Sequence, residues 1–185
     1  MKRCEWAQGS ELMVAYHDGE WGKPIHDDNA LFEFLILEGA QAGLSWLTVL
    51  KKREGYRKAF DNFNAKCMAG YNQNKVEKLL LNPDIIRNRL KIESAINNAK
   101  CFLKVKGEFG SFDKYVWQFV DYKTINNRFK SVSDIPARTF ESDKMSKDLQ
   151  KRGFRFVGST ICYAFMQATG MVNDHIEGCF RKKKL

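Results

Sequence analysis

Apolar residues recur at helical spacing along most of this chain. Between Asn88 and Val105, the residues Ile92, Ala95, Ile96, Ala99, Phe102 and Leu103 fall on one stripe and predict an amphipathic helix. Val76, Leu79 and Leu80 predict a shorter one within Asn72–Leu81. Ser10 is placed to cap a helix through Tyr16 and His17, Asp27 or Asp28 one through Leu37, and Ser45 one running from Trp46 towards Phe60. Further helices are expected over Phe112–Val120, over an exposed polar Ser142–Lys151, and over Ser159–Ala168 with Gly170 at its C-terminal cap. Phe60–Ala69 is ambiguous. Phe154–Val157 alternates but is too short to carry a strand on its own, and Lys182–Lys184 reads as a frayed tail. The pattern predicts an all-α protein.

One run breaks the pattern. Leu31–Leu37 is almost continuously apolar, then Glu38 follows, then the small residues Gly39–Gly43, then Leu44, Ser45 and Trp46. In a helix Leu31, Leu35 and Glu38 share a face. A carboxylate on an apolar face needs a partner, a raised pKa or a chemical role. The bland alternative is a glutamate solvated at a helix end, where its charge opposes the helix dipole. Gly39–Gly43 reads as a turn of small residues that lets a flat ligand approach the backbone.

The composition narrows the class of protein. The chain has 185 residues, 44% of them apolar, with 14 Phe, 6 Tyr and 4 Trp. That suits one compact domain, 1–185, or two closely packed lobes. A formal net charge of +9 makes a polyanion a plausible partner. No apolar run approaches the ~18 residues of a membrane span, and no secretory leader is visible. A cytoplasmic, monomeric protein is expected. With 5 cysteines in a reducing compartment, thiols are core fillers or metal ligands.

Cys4 and His17 lie near one end of the chain, and His175 and Cys179 near the other. The latter pair is four apart, so one ion can meet both from a single helical turn. With Cys4 and His17 they make a Cys₂His₂ donor set for a closed, structural zinc site. The alternative is a free thiol and a surface histidine. Cys67, Cys101 and Cys162 sit in contexts that suit packing.

Several stretches taken together resemble the constitutive bacterial 3-methyladenine DNA glycosylases. They are RCEW, AYHDGEWG, LFEFLILEGAQAGLSWLTVLKKREGYRKAF, IIRNRLKIESAINNAK and KRGFRFVGSTICYAFMQATGMVNDHIEGC. They cover almost the whole chain in order. The resemblance implies an all-α helix-hairpin-helix DNA glycosylase fold, with a zinc site joining the N- and C-terminal segments through Cys4, His17, His175 and Cys179. It implies release of free 3-methyladenine from alkylated double-stranded DNA by hydrolysis of the N-glycosidic bond. It makes Glu38 the base-reading and catalytic carboxylate, with Tyr16, Trp46 and Trp6 lining the base pocket. It also implies that the hairpin around Asn82–Ile92 meets DNA phosphates, helped by Arg87, Arg89 and Lys91. Without the resemblance, the two tryptophans read as core, Tyr16 as a helix-face tyrosine and the basic turn as solvated.

The chain departs from the family pattern at a few positions. Asp84 and Leu90 stand where relatives commonly carry glycine, Met13 where they often carry tyrosine, and Ser159 where they carry threonine or proline. These departures keep a second reading open: a zinc-stabilised binder of damaged DNA with weak or no catalysis. An RNA-binding helical module is supported by charge alone.

Overall fold

The computed structural model describes residues 1–182. In chain order its α-helices are α1 (Glu11–Gly19), α2 (Asp28–Gln41), α3 (Trp46–Ala59), α4 (Ala65–Ala69), α5 (Gln73–Leu81), α6 (Arg89–Phe109), α7 (Phe112–Trp117), α8 (Phe140–Lys151) and α9 (Ser159–Ala168). Short 3-10 turns cover Glu5–Gly9, Asp61–Phe63, Gln118–Val120 and Val132–Asp134. A minimal parallel pair, β1 (Ile125–Asn126) on β2 (Val172–Asn173), is the sheet structure among the described residues.

The expected caps form: the side chains of Ser10, Asp27 and Ser45 accept from the backbone N–H groups of Met13, Ala30 and Thr48. Asn72 and Asn88, whose capping role the sequence pattern does not single out, do the same for Lys75 and Lys91. Each satisfies a donor that the first helical turn leaves open.

α2 is the central helix. Every residue from Leu31 to Ala40 is buried, and the helix packs against α3, α6, α7 and α9. A helix apolar all round belongs inside a fold. It runs four residues past Leu37, so Gly39, Ala40 and Gln41 are helical and only Ala42–Leu44 turn. The five-residue turn expected after Glu38 is therefore corrected. α6 likewise extends to Phe109.

Other expectations are refined. α8 is not simply exposed, because Ser142, Met145, Ser146 and Leu149 are buried against the core. Phe154–Val157 forms no strand. Asn98 holds it instead, donating to the Arg155 carbonyl (2.9 Å) and accepting from the Arg155 N–H (2.8 Å). Gly170 follows α9 with φ +72°, and a Cβ there would lie 2.3 Å from Pro24 N. Only glycine fits that approach. Lys182 is not frayed, since its ammonium donates to the carbonyls of Asn127 and Asn173. Lys183 and Lys184 lie outside the described residues. No helix among the described residues is long and apolar enough to cross a membrane.

Candidate active site and metal centre

α1, the end of α2 and the start of α3 converge on a cavity of about 400 Å³. Met13 and Tyr16 face it from α1, Glu38 and Gln41 from α2, and Trp46 from α3. Trp6 enters from the first 3-10 turn, Trp21 from the segment after α1, and Gln167 from α9. Val132 and Ile135 close one side. The aromatic rings form a continuous wall. Trp6 meets Trp21 edge-on at 4.9 Å, and Tyr16 lies 5.4 Å from Trp46.

Glu38 is 4% exposed, and no described residue donates a hydrogen bond to its carboxylate. Burial alone pushes its pKa up to about 8. Tyr16 is held well above the usual phenol range, first by burial and then by the charges of Glu38 and Glu20, so it stays a neutral donor. The buried Trp46 indole N–H has no acceptor among the described residues. The cavity thus combines electron-rich ring faces, one unpaired carboxyl group and unspent donors. That combination suits a flat cation.

The four expected metal-binding side chains come together. Cys4, His17, His175 and Cys179 are all buried, and their donor atoms lie within 4.8 Å of one another. Cys179 Sγ is 3.4 Å from His17 Nε2 and 3.5 Å from His175 Nδ1, and Cys4 Sγ is 3.7 Å from His175 Nδ1. Outer partners fix both imidazoles. His17 Nδ1–H donates to Asp18 (2.7 Å), which Arg3 holds in turn, and His175 Nε2–H donates to the Trp21 carbonyl (3.2 Å). Each ring therefore turns its unprotonated nitrogen towards the thiols, and that of His17 also receives the Cys4 N–H at 3.5 Å. Burial lowers both histidines, His175 to about 4, which keeps them neutral.

The cluster forms the back of the cavity wall. His17 follows Tyr16 on α1, Trp6 packs on His17 (5.3 Å), and Trp21 packs on His175 (4.6 Å). A clamp on the chain ends thus holds three cavity rings in place.

The basic residues before and within α6 separate in role. Arg87 is exposed and meets no acceptor among the described residues. Arg89 pairs with Glu77 (2.8 Å) and more loosely with Glu93 (3.7 Å). Lys91 instead donates to the carbonyls of Ala40 (2.8 Å) and Ala42 (2.7 Å). Its ammonium caps the end of α2, so its role shifts from meeting phosphate to holding the helix that carries Glu38. Leu90 is 67% exposed at the start of α6.

Sequence reading missed Trp21, Gln41, Gln167, Val132 and Ile135 as cavity residues. Trp21, Gln41 and Gln167 sat inside stretches already singled out. Val132 and Ile135 carried no local signal.

The chain matches the family model for methyladenine glycosylases over residues 6–182. It is 49% identical over 179 residues to DNA-3-methyladenine glycosylase 1 of Escherichia coli (strain K12), covering 97% of this chain and 96% of that protein. A crystal structure of a 3-methyladenine DNA glycosylase I superposes with a TM-score of 0.95 at 51% identity, covering 97% of this chain and 98% of that one. A variant of such an enzyme in complex with 3-methyladenine also superposes at 0.95, with 35% identity and 98% of each chain covered. The aromatic cavity around Glu38 therefore sits in a chain that belongs to the methyladenine glycosylase family.

Proposed function

We propose that this protein is a monofunctional DNA glycosylase, a cytoplasmic monomer that hydrolyses the N-glycosidic bond of 3-methyladenine in double-stranded DNA and leaves an abasic site. The observation that carries this reading is a buried, unpaired carboxylate in a cavity walled by aromatic rings. Methylation gives the purine a positive charge and makes it a good leaving group. The damaged nucleotide must leave the stack to reach a cavity this deep. Inside, the rings attract the cation and Glu38 supplies the counter-charge. Normal adenine is neutral and gains neither.

The reading extends to the outer surface. α5, the loop 82–88 and α6 serve as the hairpin that meets the DNA backbone. Phosphate contacts come from backbone N–H groups at the start of α6 and from Arg87 and Arg89. Incubating the protein with methylated duplex DNA tests the enzyme reading. Free 3-methyladenine should appear well above the spontaneous rate. Binding without release would identify the silent damage binder instead.

Zinc suits the four-residue cluster. Bonds of about 2.3 Å to sulfur and 2.0–2.1 Å to nitrogen give tetrahedral nitrogen–sulfur edges of roughly 3.6 Å. The three such separations above run from 3.4 to 3.7 Å. Cys4, His17, His175 and Cys179 would fill all four positions, so zinc would act as a structural clamp and leave none for water. Elemental analysis should find about one zinc per chain. Chelation should lower the melting temperature and expose two thiols. Metal-free protein with an unchanged melting curve would remove the clamp.

A further inference from the structure

The aromatic cavity has a neighbour. A smaller cavity of about 190 Å³ lies between the end of α2, the Ala42–Leu44 turn, and Thr160 and Ile161 at the start of α9. Glu38 and Gln41 line both cavities. They are three residues apart in α2 and so share one face of the helix. Gly43 and Leu44, which line the smaller cavity, are exposed.

Gln41 stands out among the side-chain amides of this region. Gln167 donates to Asp174 (2.8 Å), and Asn97 and Asn98 are tied to the loop before α9. The half-buried Gln41 carboxamide meets no hydrogen-bond partner among the described residues. An unsatisfied amide at the seam of two cavities is available to a molecule bound there.

We infer that a base seated in the aromatic cavity places its deoxyribose towards the smaller one, with C1′ at the seam, and that Gln41 is a positioning residue whose carboxamide holds the water that attacks C1′. This rests on the glycosylase reading above. The carboxamide carbonyl accepts one water hydrogen and leaves the oxygen lone pair free for C1′. An amide cannot take the proton, so the proton needs another acceptor.

Glu38 is that acceptor, one helical turn away. The C1′–N bond breaks and its electron pair returns to the purine, which leaves as neutral 3-methyladenine. The water oxygen bonds to C1′, and its proton passes to the Glu38 carboxylate. Before the step the site holds one cation and one carboxylate, and afterwards a neutral base and a neutral acid. Net charge in the buried cavity stays at zero throughout. The burial that makes Glu38 a weak acid holds the proton once the cation has gone.

The test compares wild type with Gln41→Ala on methylated duplex DNA, under single turnover, in water and in a water–methanol mixture. Gln41 lies at a half-buried helix end, so the variant should fold with an unchanged melting temperature. Its release rate should fall about a hundredfold, the lower end of the range for positioned proton-transfer catalysis. Affinity for free 3-methyladenine should stay within twofold. The decisive readout is the trapped product. Wild type should favour water over methanol, and Gln41→Ala should form methyl deoxyriboside in closer proportion to the methanol present. A rate loss with an unchanged methanol share, or no rate loss, overturns the role of Gln41. No release by wild type overturns the glycosylase reading itself, and this inference with it.

Discussion

α2 buries two glutamates five residues apart, and treats them in opposite ways. Glu33 is 8% exposed and Glu38 is 4% exposed. Arg53 Nε donates to Glu33 at 2.5 Å, and Arg57 Nη2 donates to it at 2.8 Å. Arg53 also reaches Glu20, just beyond α1, at 2.6 Å, so the cluster ties α2 and α3 to the segment that follows α1. Glu38 has no such partner, and burial raises its pKa to about 8. The Glu33 charge is compensated within the fold. Glu38 remains a desolvated acid whose counter-charge arrives only with a cationic ligand. Of two equally buried carboxylates, the one the fold leaves uncompensated marks the site.

Exchanging each for glutamine breaks the comparison most sharply. Glu38→Gln keeps the shape and removes the charge. Release of 3-methyladenine should fall roughly 100-fold or more, the scale of losing one preorganised electrostatic contact. An unchanged single-turnover rate would strip Glu38 of its role. Glu33→Gln should leave Arg53 and Arg57 short of a counter-charge and cost about 3 kcal/mol of stability. Denaturant unfolding measures this, and the folded variant should still release base at the wild-type rate.

Glu38 also ties stability to pH. A carboxyl group whose folded pKa lies above its ordinary value contributes stability below that ordinary value, and loses it as pH rises through the folded pKa. For Glu38 the window runs from the ordinary 4.5 to about 8. Wild type and Glu38→Gln should therefore be equally stable near pH 4. By pH 8 the variant should be ahead by about 2 kcal/mol, once relaxation and water entry discount the full shift. A parallel pair of stability curves would show that Glu38 is solvated. The smallest effect falls on the outer member of the Glu33 cluster. Arg57 is one-third exposed, and Arg57→Ala should cost no more than about 1 kcal/mol.

Local chemistry made the helix starts legible. Ser10, Asp27 or Asp28, and Ser45 each announced a cap, and Ser10, Asp27 and Ser45 form one. Glu38 was legible as a polar residue on an apolar face. The Cys and His residues were legible as a donor set, although the spacing of His175 and Cys179 settled little without the resemblance. What stayed hidden depends on distant contacts. The arginines that hold Glu33 lie on another helix, so its compensation leaves no local signal. The end of α2 was read as a turn because glycine disfavours helix. Yet Gly39 is helical, with Phe156 so close that a Cβ would meet it at 3.3 Å. Gly55 on α3 is a stronger case. A Cβ there would lie 2.2 Å from the Asp84 carbonyl oxygen, so the loop before α6 seats directly on that helix. Val132 and Ile135 reach the cavity from a loop with no periodic signal, and no local rule would place them there.

The joined chain ends also set an order of events during synthesis. Cys4 and His17 leave the ribosome early, but their partners His175 and Cys179 come more than 150 positions later. The Phe180 N–H also donates back to the Lys2 carbonyl at 3.0 Å. At roughly 5–20 residues per second, the early segment waits many seconds for its counterpart. Throughout that interval α1 lacks the anchor behind Tyr16, and Trp21 lacks His175. A nascent chain can therefore fold α2 and its neighbours while the base cavity is still incomplete. Translation that stops short of Cys179 would leave a helical body in which His17 lacks Cys179 and the cavity wall lacks the anchor they form together.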